Sequence, residues 1–234
     1  MTLHIGIVGC SSEGAALCYR TICTEAGDVL GKHSHPEVSM HTPDFKRYML
    51  CFEKDDWDGV GDLMAESAEK LARIGADFVM SPDNTIHKSF DRAAEKSSLP
   101  WLHIAEEVAN VAKERGFQRL AVLGTRYLME GPVYPVKLGA AGIEHRIPPE
   151  EDRSRIHTII FDELVCGRFT NEARDYFAKV IGKMQKTEGC DAAVLGCTEI
   201  PLLISDEHSP LPTLDSTRIL ARAALRRATQ PPKS

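Results

Sequence analysis

Two short segments carry residues whose types and spacing suit proton transfer. The first is Pro82-Asp83-Asn84-Thr85-Ile86-His87 and the second is Gly196-Cys197-Thr198-Glu199-Ile200-Pro201. Each places one acid–base group, the Asp83 carboxyl or the Cys197 thiol, just after an apolar run and just ahead of hydrogen-bonding side chains. If the runs are strands and the following residues open helices, the exposed N–H groups there would bind a carboxylate and stabilise charge developing on it. The same surroundings favour the thiolate of a cysteine whose ordinary pKa is about 8.5. The chemistry indicated is acid–base work on a small molecule that carries a carboxylate.

The elements that must position these groups are legible as short apolar runs, each followed by a loop and a helical pattern. The runs are His4–Gly9, Val38–Thr42, Phe78–Ser81, Trp101–Ile104, Leu120–Gly124, Ile143–Ile147, Ala192–Gly196 and Thr213–Leu214. All read as buried parallel strands. Val60, Leu63, Met64, Ala68, Leu71 and Ile74 share one face of a helix, as do Ala173, Phe177, Val180, Ile181 and Met184. Alternating strands and helices over the whole length predict an α/β fold with parallel sheets.

The chain also repeats itself. Gly75-Ala-Asp-Phe-Val-Met-Ser-Pro-Asp-Asn-Thr matches Gly189-Cys-Asp-Ala-Ala-Val-Leu-Gly-Cys-Thr-Glu at an offset of 114, and Ile5-Gly-Ile-Val-Gly-Cys matches Leu120-Ala-Val-Leu-Gly-Thr at 115. Leu99-Pro-Trp-Leu-His matches Leu211-Pro-Thr-Leu-Asp at 112. Three matches in one order predict an internal duplication: two similar α/β lobes, each a parallel sheet flanked by helices. Lobe one is expected over residues 1–98 plus 208–234, because a helix at 217–227 returns to it, and lobe two over 99–207. The tail from Ala228 onward is expected to fray. Ligands of parallel α/β lobes bind beyond the carboxyl ends of the strands. Asp83 and Cys197 therefore fall at equivalent strand ends, expected to face one ligand from opposite sides of a cleft between the lobes.

Composition narrows the function classes. The 234 residues hold 28 Lys+Arg against 34 Asp+Glu, a net charge of −6. No basic surplus exists to displace counterions from a phosphate backbone, so nucleic acid is not an expected partner. No apolar run approaches the roughly 18–20 residues that span a bilayer, so no membrane association is expected. The opening Met-Thr-Leu-His-Ile-Gly-Ile-Val-Gly reads as a first strand rather than a signal peptide, and the expected location is cytoplasmic. Seven cysteines are present without a Cys-x-x-Cys pair, which fits neither a disulfide framework nor a zinc site, and most are expected to be buried small hydrophobes. His33 and His35 read as a solvated loop. With no Schiff-base lysine context, dinucleotide fingerprint or phosphate-binding Gly-Lys-Ser/Thr loop, neither an organic cofactor nor a metal is expected.

The residues quoted above resemble the aspartate/glutamate racemase family, the cofactor-independent amino-acid racemases. The resemblance rests on Ile5-Gly-Ile-Val-Gly-Cys-Ser-Ser-Glu, Asp83-Asn-Thr-Ile-His, Leu123-Gly-Thr-Arg-Tyr and Gly196-Cys-Thr-Glu-Ile, and it covers essentially the full length. It implies a homodimer acting on an amino acid or related carboxylate. It also implies that two opposed cysteines remove and return the α-proton. Cys197 matches one of them. Asn84, Thr85 and Thr198 would bind the substrate carboxylate, joined by Ser11 or Ser12 and by Thr125 in the equivalent turn of the second lobe. Arg47 falls near where some members hold a distal carboxylate, whereas a lysine that some members carry near Val165 is missing. Glu199 would orient Cys197 or bind the amine. His87 is expected to pack rather than to catalyse.

The departure from the pattern is Asp83, which stands where the first cysteine belongs. Ordinary pKa values of about 8.5 and 3.9 separate the two groups by roughly 6 kcal/mol of proton affinity, so an untuned Asp83 is a poor base for a carbon acid. It is a tuned second base, an acid only, or an element that selects the substrate. Read without the motifs, Asp83 would be a helix cap and Cys197 one more buried cysteine. The leading expectation is an amino-acid racemase. The alternatives are a single-cysteine lyase, decarboxylase or isomerase on the same scaffold, or a non-catalytic small-molecule binder.

Overall fold

The computed structural model describes residues 2–230. The chain divides into two compact units, residues 1–104 with 217–234 and residues 105–216. Lobe one runs β1 (Ile5–Val8), α1 (Ser12–Glu25), α2 (Gly27–Leu30), β2 (Val38–His41), α3 (Phe45–Glu53), α4 (Trp57–Arg73), β3 (Phe78–Met80), a 3-10 turn (Thr85–Ser89), α5 (Phe90–Glu95) and β4 (Trp101–Leu102). Helix α6 (Ile104–Glu114) leads into lobe two, with β5 (Arg119–Gly124), α7 (Arg126–Met129), α8 (Val133–Ala140), β6 (Glu144–Arg146), α9 (Glu150–Ile159) and a π-helical segment (Ile160–Leu164). Then come α10 (Asn171–Glu188), β7 (Ala192–Gly196), α11 (Ile200–Leu203), β8 (Thr213–Asp215) and α12 (Ser216–Thr229), the last belonging to lobe one from Thr217 onward. Among the described residues no helix is long and apolar enough to cross a membrane.

Each lobe holds one four-stranded parallel sheet, ordered β2-β1-β3-β4 in the first and β6-β5-β7-β8 in the second. Ile5 pairs with Phe78 in lobe one and Leu120 with Ala192 in lobe two, so the registers coincide after shifts of 115 and 114 residues. Local details repeat as well. Asp77 accepts the His4 N–H at 2.7 Å and Asp191 accepts the Arg119 N–H at 3.1 Å, each tying its strand to the one beside it. The Ser97 hydroxyl bridges the backbone of Leu99, and Ser209 bridges Leu211 in the same way. Side-chain staples of this kind are not general α/β grammar; their recurrence marks a duplicated unit.

Packing follows from the helical spacings. In α4 the Asp56 carboxylate caps the Gly59 N–H at 2.8 Å, and Val60, Leu63, Met64, Ala68 and Leu71 are buried. In α10 Thr170 caps the N-terminus, Gly189 ends the helix in the left-handed region at φ 67°, and Phe177, Val180, Ile181 and Met184 fill the core against Ala121, Leu123, Ala193 and Leu195. The central strands β1, β3 and β7 are buried throughout, as helix-covered parallel strands must be. Leu220, Ala221, Ala224 and Ala228 of α12 pack on Ile5, Ile7, Phe78 and Met80 of lobe one.

Four expectations need correction. β2 and β6 are edge strands and are not buried. Ile74 is 59% exposed, because α4 ends at Arg73 and the chain turns away through Gly75 at φ 91°. Only Cys10, Cys18 and Cys190 of the seven cysteines are buried, all seven being free thiols. Finally, α12 continues to Thr229 and its last residue bonds back to Leu225 at 2.9 Å, so the fraying expected from Ala228 does not begin there; residues 231–234 lie outside the described residues.

Candidate active site

In lobe one the residues of interest gather where β1 and β3 end. Beyond β1 the chain passes Gly9, where a Cβ would lie 2.6 Å from Thr42 Oγ1, so only glycine lets the first loop come this close. Ser11 then caps α1, its hydroxyl accepting the Gly14 N–H at 3.3 Å. Ser12 is the first, exposed residue of that helix. Beyond β3, Asp83 turns its carboxylate onto the first loop. Oδ2 accepts the Cys10 N–H at 2.9 Å and Oδ1 accepts the Ser11 N–H at 3.1 Å. Two backbone donors on one carboxylate hold it in place and stabilise its charge. Asp83 is 9% exposed and Asn84 is buried beside it, while Thr85 is half-buried.

His87 is pinned from both sides. Its Nε2 accepts the Ile104 N–H at 3.2 Å, so the proton of the neutral ring sits on Nδ1 and is donated to the Asp83 carbonyl at 3.0 Å. The ring stacks on Phe90 and meets His103 edge-on. This is the packing role expected for it, and it fixes the backbone of Asp83.

In lobe two the ends of β5 and β7 approach through facing glycines. A Cβ on Gly124 would meet the Gly196 carbonyl at 2.8 Å, and one on Gly196 would meet the Leu123 carbonyl at 2.8 Å. Thr125 caps α7 by accepting the Leu128 N–H at 3.2 Å and is buried. Cys197 is half-buried, and its thiol donates to Glu199 Oε2 at 2.9 Å. The Thr198 hydroxyl donates to the same oxygen at 2.7 Å. Glu199 and Thr198 are each 3% exposed. One buried carboxylate thus aims the thiol and the hydroxyl together.

One sequence expectation changes. The loops after Asp83 and Cys197 open not onto full helices but onto a five-residue 3-10 turn and the four-residue α11. So few aligned peptides make little macrodipole, and anion binding falls to individual N–H and hydroxyl groups. Arg47, on α3, is half-exposed and bonds Glu66 at 2.8 Å, a carboxylate also held by Lys70 at 2.8 Å. These two hydrogen bonds pull Glu66 down to about 2.

The structure also exposes residues that spacing did not single out. Tyr48 of α3 is fully buried; burial, reinforced by the charges of Cys10 and Asp83, pushes its phenol far above the ordinary range and keeps it protonated. Cys10 is 4% exposed and shares its cluster with Tyr48 and Ile86. In lobe two His157 accepts the Arg126 N–H at 3.2 Å and packs on Tyr127 and Phe161, with burial lowering its proton affinity. Cys10 stood inside a quoted motif and was legible as a residue, though not as a partner of Asp83. Tyr48 had no local signal, since tertiary packing alone brings α3 over the strand ends.

Known proteins place this arrangement in context. Residues 7–224 match the family described as Asp/Glu/Hydantoin racemase. The solved structure of a candidate Asp/Glu racemase from Yersinia pestis is 33% identical, with a TM-score of 0.89 over 97% of this chain and 100% of that one. An aspartate racemase homologue from Pyrococcus horikoshii is 28% identical, with a TM-score of 0.85 over 98% of this chain and 100% of its own. Among curated proteins, the broad specificity amino-acid racemase of Bacillus subtilis is 22% identical over 170 residues, 73% of each chain.

Proposed function

The chain belongs to the Asp/Glu/hydantoin racemase family, and we propose that it is an amino-acid racemase working without an organic cofactor or metal, in which Cys197 serves one face of the substrate's α-carbon and the Asp83 site of lobe one serves the other. The observation that carries this reading is positional. Asp83 stands three residues after Met80, the partner of Ile7 in β1, and Cys197 stands three residues after Val194, the partner of Val122 in β5. Ile7 and Val122 are themselves repeat equivalents, so the two groups are one position of the fold used twice.

The chemistry follows from these groups. Removing the α-proton leaves an electron pair that must pass onto the substrate carboxylate as an enediolate, so donors around that carboxylate lower the barrier. In the proposal they come from Ser11, Asn84 and Thr85 in lobe one and Thr125 and Thr198 in lobe two. Glu199 orients Cys197 and takes up or returns its proton. Arg47 bonds Glu66 through one guanidinium nitrogen, and its other N–H groups would meet the distal end of a substrate. A proton delivered to the face opposite the one it left inverts the configuration.

The test is direct. Each chiral proteinogenic amino acid, as its L form and its D form, is incubated with the protein, and the enantiomers are separated by chiral chromatography. Appearance of the opposite enantiomer with unchanged mass supports the reading. A product of altered mass would assign the chain to one-sided chemistry instead, and no change in any sample would leave a binder. Glu199→Gln provides a second expected outcome. The amide oxygen can still accept both bonds but cannot take the thiol proton, so kcat should fall by about 100-fold while KM stays within a few fold. Wild-type kcat in that variant would show that Glu199 only fills space.

A further inference from the structure

We infer that the atom exchanging a proton with the substrate at the Asp83 site is the Cys10 thiol, that Asp83 is the carboxylate positioning and deprotonating it, and that the buried Tyr48 hydroxyl donates a hydrogen bond to the substrate. The inference rests on the racemase reading and names the working group within it.

Three observations lead there. First, both oxygens of Asp83 are already committed to the N–H groups of Cys10 and Ser11, which turns the carboxylate onto the first loop. Second, lobe two pairs a thiol with a buried carboxylate, Cys197 with Glu199, both on the β7 loop, and lobe one draws the same two groups from two loops. Here the thiol is on the β1 loop and the carboxylate on the β3 loop, joined through the Cys10 backbone. Third, Tyr48 is fully buried in the cluster that contains Cys10, and among the described residues its hydroxyl finds no hydrogen-bond partner. A buried phenol left unpaired is costly in a folded protein. Among the charges acting on it, those of Cys10 and Asp83 weigh most, and a substrate oxygen entering this cluster would satisfy it.

The energetics favour the thiol. Racemisation runs in both directions, so each group must act as base in one and as acid in the other. A carboxyl facing a thiol is mismatched by the several pKa units that separate their ordinary values, whereas two thiols are matched. In the forward step Cys10 enters as thiolate, its proton having passed through Asp83 to water. The substrate Cα–H bond breaks, an S–H bond forms on Cys10, and the electron pair moves onto the substrate carboxylate. The Cys197 S–H bond then breaks as a C–H bond forms on the opposite face. Loss of the proton gained in lobe one to water, and uptake of one by Cys197 from water, restore the starting state.

The test compares the two enantiomers of whichever proteinogenic amino acid the wild-type protein racemises fastest, in deuterated water. Cys10→Ser should lower α-deuterium uptake from one enantiomer by about 100-fold or more and from the other by less than about tenfold, and Cys197→Ser should show the opposite selectivity. Uptake that is unchanged, or reduced equally for both enantiomers, overturns the inference. Should Cys10→Ser fail to fold, wild-type protein is alkylated with iodoacetamide and its peptides are mapped by mass spectrometry. The amino acid should slow labelling of Cys10 and Cys197 alike, and protection of Cys197 alone overturns the inference. Tyr48→Phe should raise KM by about tenfold without lowering the melting temperature, because it removes an unpaired hydroxyl; an unchanged KM takes Tyr48 out of the site. Wild-type protein that exchanges no α-proton with any amino acid overturns the racemase reading itself. Normal racemisation that survives Cys10→Ser overturns only the role of Cys10.

Discussion

Replacing Cys197 with alanine should lower racemisation by about 1,000-fold or more, a loss of roughly 4 kcal/mol of transition-state stabilisation. The thiol donates its proton to Glu199, and the Thr198 hydroxyl holds the same carboxylate oxygen from the side. Alanine leaves Thr198, Glu199 and the facing glycines Gly124 and Gly196 in place, so the architecture should survive while the chemistry stops. Cys197 is half-buried and packs at the margin of the lobe-two core, and the stability cost should stay near 1 kcal/mol. Chiral chromatography checks the first expectation and thermal unfolding the second. Turnover at the wild-type rate would remove Cys197 from the mechanism.

Asp83→Asn should damage both stability and turnover. The carboxylate satisfies two backbone donors, the Cys10 and Ser11 N–H groups. An amide offers one oxygen, and its NH2 end must face the second donor. One buried N–H is then left unmatched, at a cost of about 1–3 kcal/mol in urea unfolding. The variant can also no longer take a proton. Assayed well below its melting temperature, it should lose about 100-fold or more in kcat, concentrated in exchange from the enantiomer that lobe one deprotonates. A stability loss without this one-sided kinetic loss would reduce Asp83 to an anchor of the first loop.

Much of the fold was legible because it is local. The apolar run Ala192–Gly196 coincides with β7, and the spacing of Ala173, Phe177, Val180, Ile181 and Met184 coincides with the buried face of α10. The repeat was visible because duplicated strands kept their register and even their Asp77 and Asp191 staples. What spacing could not give was the level of burial at sheet edges. Val38 and Glu144 sit on edge strands, and strand order is a non-local property. Ile74 fits the helical period but falls just past the point where the chain reverses at Gly75.

The candidate site divided along the same line. Asp83, Asn84, Thr85, Cys197, Thr198 and Glu199 lie within a few residues of strand ends, and their motifs could be read directly. The bond from the Cys10 N–H to Asp83 links residues 73 apart, and the arrival of Tyr48 depends on how α3 docks. The pairing of Arg47 with Glu66 links positions 19 apart, on α3 and α4. A charged residue in a motif-like place can be read from sequence, but the partner that already holds it cannot.

Proton bookkeeping in a single early turnover reaches the core of the account. The protein is given one pure enantiomer of its substrate in deuterated water, and the reaction is stopped after a few per cent conversion. Two groups working from opposite sides predict that the inverted product carries deuterium at the α-carbon while recovered starting material still carries protium. Deuterium appearing equally in both, or protium retained in the product, would mean that one group does all the work, and the two-sided mechanism would be wrong.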